Sequence, residues 1–161
     1  MEESALPGTA VGQISVRKNV TDHNQPIKFT LGDLSSENTT FHLQSNGTLS
    51  LNTVLDREVK DEYKFPVVVV ENSAPPKTSK TNVVITVTDI NDNVPVFLEN
   101  GYIAYISENS AIGQGIIQVK ASDADQGINA ELFYGLESDE NEGSSRFTIN
   151  KTTGLLMVAG K

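Results

Sequence analysis

The chain has no cysteine, no tryptophan and only two histidines in 161 residues. Without cysteine there is no disulfide frame, no thiolate metal site and no cysteine nucleophile, and the redox compartment goes unread. Without tryptophan, and with 6% aromatic residues, there is little to stack on a sugar. His23 and His42 are the only imidazoles; His42 falls on the polar side of an expected strand, and no HExxH, GxSxG or P-loop pattern occurs. Paired acids alone do not make a glycosidase, which needs two carboxyls across a cleft walled by aromatics. The chain therefore reads as no enzyme. Basic residues are also scarce, 12 against 21 acidic ones, for a net charge of −9. That balance argues against nucleic acid and points to cations or simple solvation. No apolar run reaches the length of a membrane span. The start, MEESALPG, has neither the basic flank nor the apolar centre of a leader, so Met1 reads as an added or internal start, or the leader lies elsewhere.

What is present is short alternation. Apolar residues from Val11 to Val16 are separated by Gly12, Gln13 and Ser15, and Ile27, Phe29 and Leu31 alternate with Lys28 and Thr30. Phe41–Leu43 and Leu49–Leu51 flank Ser45-Asn46-Gly47, a strong hairpin signal. Tyr63, Phe65, Val67 and Val69 form the next run, then Val83, Ile85 and Val87. No stretch keeps a helical period. Short strands about ten residues apart, with turn residues between them, predict an all-β sandwich.

The run Thr88–Phe97, TDINDNVPVF, interrupts this pattern. Pro95 donates no hydrogen bond and holds Val94 extended, while Asn and Asp favour turns, so the segment is a connector. Its Asp and Asn side chains and carbonyls are the oxygen donors that a hard cation such as calcium takes. Taken alone, an acidic interdomain turn is an equal reading. After it the pattern restarts: Glu2 returns as Glu108, Ile27–Leu31 as Leu132–Leu136, Phe41–Leu43 as Phe147–Ile149 and Gly47–Leu51 as Gly154–Val158, at an offset near 106 residues. Two tandem copies of one domain follow, 1–93 and 94–161. By counterpart, the second copy lacks the last two strands and a downstream linker, and is expected to be loose.

Around the linker stand Glu2 in EES, Asp56 and Glu58 in LDRE, Glu108 in SEN, and Asp123, Asp125 and Asn129 in DADQGIN. With these motifs in this order, the sequence resembles the cadherin repeat over nearly its whole length. The resemblance implies tandem Greek-key, seven-stranded β-sandwiches and about three calcium ions at the junction. The first ion would use Glu2, Asp56, Glu58 and Asp92. The second would use Glu2, Glu58, Asp89, the carbonyl of Ile90, Asp92 and Asp125. The third would use Asn91, the carbonyl of Asn93, Asp123, Asp125 and the carbonyl of Asn129, and lacks an Asp that the family supplies from a later stretch. Seven carboxylates would meet six positive charges. Like charges about 6 Å apart repel by roughly 3 kcal/mol at an effective dielectric of 20, so the junction should loosen without metal.

Arg57, between Asp56 and Glu58, would alternate to the opposite face of an extended chain. Upstream, Arg17-Lys18-Asn19-Val20 stands where the second copy has Asp123 and Asp125, so no complete calcium junction is expected there. Asp33 reads as a solvated loop charge. The resemblance also implies an extracellular adhesion or recognition segment of a single-pass membrane protein, its partner a cadherin-type ectodomain on the same or a neighbouring cell. Lacking tryptophan, the segment cannot make the strand exchange of classical cadherins and looks more like the protocadherin or Fat branch. Sequons at Asn19, Asn38, Asn46 and Asn150 suit a secreted chain. A calcium-dependent carbohydrate-binding sandwich is the alternative.

Overall fold

The computed structural model describes residues 1–17, 26–32, 39–137 and 146–160. Lys18, Asn19, Val20, His23, Asp33 and Asn38 lie outside the described residues. The chain divides into two compact units, Met1–Ile90 and Asn91–Lys161.

Among the described residues the first unit has β1 (Ala10–Gln13), β2 (Ile27–Leu31), β3 (Phe41–Leu43), β4 (Thr48–Leu51), β5 (Glu62–Glu71) and β6 (Lys77–Thr86). They form two antiparallel three-stranded sheets, ordered β1-β4-β3 and β2-β5-β6. The sheets face each other through the alternation the sequence carries. Tyr63, Phe65 and Val67 of β5 point inward while Lys64 is exposed, and Phe41 of β3 meets Tyr63 edge-on at 5.1 Å and Phe65 at 5.2 Å between ring centroids. Leu49 and Leu51 of β4, with Leu55, Ile85 and Val87, complete this core. Each such large apolar side chain contributes about 1.5–3 kcal/mol by leaving water.

Two backbone details set the edges of these sheets. Pro66 lies in the middle strand β5, where proline normally breaks a ladder. Its carbonyl accepts from Gly32 N–H at 2.8 Å, so its missing donor faces the same side, just past the last β2–β5 pair, Leu31–Val67. Any side chain at position 32 would collide, a Cβ there lying 2.6 Å from Pro66 Cγ. The Asn46-Gly47 turn forms as expected: Asn46 Oδ1 accepts from Thr48 N–H at 2.9 Å. Gly47 has φ +86°, and a Cβ would lie 2.3 Å from the carbonyl oxygen of Ile14.

The second unit has β7 (Val96–Phe97), β8 (Gly115–Gln118), β9 (Ala121–Ser122), a 3-10 turn (Gly127–Ala130), β10 (Phe147–Ile149) and β11 (Leu155–Val158). The sheet β10-β11-β8 repeats β3-β4-β1 pair for pair. Phe41↔Leu51 returns as Phe147↔Val158, and Gln13↔Thr48 as Gln118↔Leu155. Even the bulge recurs, between Ala10 and Gly12 in one copy and opposite Met157 and Leu156 in the other. Gly8 and Gly113 share positive φ and donate to Leu51 and Val158 respectively.

Leu132–Leu136, expected as a strand by its likeness to β2, pairs with no strand. The physical reason is that β2 owes its ladder to β5 alone, and no described residue of the second unit takes that role. Consequently, among the described residues, the second unit buries one large apolar side chain, Val158, where the first buries nine. Ile106, Leu136, Phe147 and Ile149 instead line an open apolar hollow.

Candidate metal centre

Met1–Glu3 run alongside the end of the first unit. Met1 N–H₃⁺ donates to the Thr86 carbonyl at 2.7 Å, Thr88 N–H to the Met1 carbonyl at 2.7 Å, and Glu3 N–H to the Thr88 carbonyl at 3.3 Å. Side chains alternate along such a segment. Met1 packs against the core, Glu3 turns inward on the same side at 4% exposure, and Glu2 faces solvent. The acid that this segment turns inward beside Asp56 and Glu58 is therefore Glu3, the residue after the expected Glu2. Its Oε1 accepts from Ile90 N–H at 2.7 Å and its Oε2 from Arg57 N–H at 2.9 Å.

Oxygens of Glu3, Asp56 and Glu58 lie within 4.8 Å of one another. The segment holding Asp56 and Glu58 is a turn rather than a strand: Lys60 N–H reaches the Asp56 carbonyl at 2.9 Å, and Val59 N–H reaches Asp56 Oδ1 at 2.9 Å. Two-residue alternation fails in a turn, and Arg57 does not leave for the other face as expected. Its Nε donates to Asp89 Oδ1 and its Nη2 to Glu58 Oε1. The side chains of Arg57 and Asp89 are 12% and 11% exposed. Desolvation disfavours the Arg57 charge, but hydrogen bonding and attraction from Asp89 and Glu58 outweigh it and raise its pKa above the ordinary value.

In the second unit Asp125 is the organising acid, 7% exposed. Its Oδ1 accepts from Asn93 N–H at 3.2 Å and Asn93 Nδ2 at 2.8 Å, and its own N–H donates to Asp123 Oδ1 at 3.0 Å. Asn93 Nδ2 also reaches Asp92 Oδ1 at 2.9 Å. Asn129 sits in the 3-10 turn after the DAD motif, its N–H on the Gln126 carbonyl at 3.3 Å. Asn91 lies at a bend and is exposed. Asp125 Oδ2 is buried with no hydrogen-bond donor. A bare buried carboxylate oxygen is costly unless something positive meets it.

The spacing of Glu3 is the signal that sequence reading missed. Glu108 stands five residues before Gly113, and Glu3 stands five before Gly8, both glycines in positive-φ turns. Aligning on Glu-Glu-Ser against Glu-Asn-Ser selects Glu2; aligning on the turn glycine selects Glu3.

A family model described as the cadherin domain matches residues 1–88 and 102–161. The chain belongs to the cadherin family. Among curated cadherins, human protocadherin gamma-A4 is 34% identical over 97% of this chain, and mouse protocadherin Fat 4 is 33% identical over 93%. The chain spans 16% of the former's length and 3% of the latter's. Among solved cadherin structures, a mouse cadherin-23 EC22-24 fragment superposes with a TM-score of 0.83 at 31% identity, covering 100% of this chain and 50% of its own. A protocadherin gammaB7 EC3-6 structure, titled as a cis-dimer, gives 0.83 at 29%, covering 99% of this chain and 38% of its own.

Proposed function

We propose that this chain is a calcium-binding segment of an extracellular adhesion ectodomain. The observation that carries this reading is the convergence of Glu3, Asp56 and Glu58 oxygens within 4.8 Å of one another. Calcium takes six to eight oxygens at about 2.3–2.6 Å, so three oxygens so close suit its coordination shell and otherwise repel. The donorless Asp125 Oδ2 supports the same chemistry in the second unit. The ligand set becomes Glu3 in place of Glu2, with Asp56, Glu58, Asp89 and the Ile90 carbonyl from the first unit. From the second come Asn91, Asp92, the Asn93 carbonyl, Asp123, Asp125 and the Asn129 carbonyl. Calcium supplies positive charge that these oxygens share, and ions shared between the two sets would stiffen the linker Thr88–Pro95.

A stiffened array presents its flanks for protein–protein contact, with a second cadherin-type ectodomain on the same or a neighbouring cell as partner. The protocadherin titled as a cis-dimer is the relative that suggests such pairing. No helix among the described residues is long and apolar enough to cross a membrane, and membrane attachment is proposed for the parent protein by analogy to its relatives. Calorimetric titration tests the metal reading: calcium heat with affinity between about micromolar and millimolar is expected. No heat at millimolar calcium would overturn it.

A further inference from the structure

Among the described residues of the first unit, Arg57 is the cation whose side chain pairs at once with two proposed ligands, Asp89 and Glu58. We propose that Arg57 is an internal counter-cation, which holds these two carboxylates together in the metal-free protein and is displaced when a divalent cation enters. This rests on the calcium reading above.

The turn at Asp56–Lys60 aims Arg57 back at the site, because the Asp56 carbonyl and Oδ1 hold the Lys60 and Val59 amides. Its backbone N–H is spent on Glu3 Oε2. The residue is thus anchored at its main chain, and its side chain spans the gap between Asp89 and Glu58. A guanidinium is charged at every physiological pH and its planar fork satisfies two carboxylates at once. Without it, the four carboxylates of Glu3, Asp56, Glu58 and Asp89 would have less positive charge beside them to offset their repulsion. Yet an oxygen that accepts from Arg57 has a lone pair directed away from a metal, and two cations side by side repel. Arg57 and calcium therefore compete for Asp89 and Glu58, and the metal's affinity is lowered by whatever stability the pair gives the empty site.

The test compares the 161-residue chain with Arg57→Gln and Arg57→Lys by calcium calorimetry and, in chelator, by thermal melting. Arg57→Gln should bind calcium about three- to tenfold tighter and melt lower in chelator. Arg57→Lys, which keeps the charge but not the fork, should fall between Arg57→Gln and the unmodified chain in both. In chelator, Arg57→Gln combined with Asp89→Asn should cost less than the two single changes added. Unchanged or weaker calcium binding by Arg57→Gln, or strict additivity with Asp89→Asn, would overturn the counter-cation while leaving the calcium reading intact. No calcium heat from the unmodified chain would sink both, and is the outcome that separates the two failures.

Discussion

At the scale of single residues, the first unit turns on which of two adjacent glutamates enters the site. Glu3 accepts two backbone N–H groups and faces Asp56 and Glu58; Glu2 lies outward, its carboxylate 3.5 Å from the Ser4 hydroxyl. Glu3→Gln is therefore expected to weaken calcium binding about tenfold or more, whereas Glu2→Gln should change it less than about twofold; titrating both variants checks this. That Asp56 and Glu58 gather with another acid was legible, because their short motif is one of several acidic motifs around the linker. The choice between neighbours was not, since a one-residue slip reverses which face each side chain takes. Arg57 was misread for a related reason: alternation was applied to LDRE, and the backbone there is a turn.

Among the elements, β2 and β5 of the first unit followed from alternation and β3 and β4 from the Asn46-Gly47 turn, whereas β6 begins at Lys77, in a polar run with no apolar alternation to mark it. Leu132–Leu136 shows where that reasoning stops. It was expected as a strand because it is the repeat counterpart of Ile27–Leu31, but strand structure is a relation between two segments. Ile27–Leu31 pairs along its full length with Val67–Glu71, while Leu132–Leu136 has no such neighbour among the described residues. Amide hydrogen exchange should accordingly be slow across Ile27–Leu31 and faster across Leu132–Leu136 in the same sample, where, among the described residues, Tyr134 N–H alone is held by a backbone carbonyl, that of Lys151 at 2.8 Å. Strong protection across Leu132–Leu136 would mean that another segment covers it.

Across the whole molecule, the two units obey one plan with unequal means. Asp92→Ala should reduce calcium-dependent elongation in small-angle scattering far more than Glu99→Ala, because Glu99 lies at an exposed bend and is not among the proposed ligands. Equal effects would count against Asp92 as a ligand. The recurrent bulge reaches further, into how the chain is made. Because β1 and β8 carry the same irregularity in the same register against β4 and β11, either strand is a template match for the other's partner during folding. Tandem repeats are prone to such exchange while both are unfolded together. Synthesis from the N-terminus avoids it by letting the first unit close before β8 emerges. Gly12 against Ile117 is one of the few places along the matched strands where the two copies differ sharply enough in bulk to tell self from neighbour.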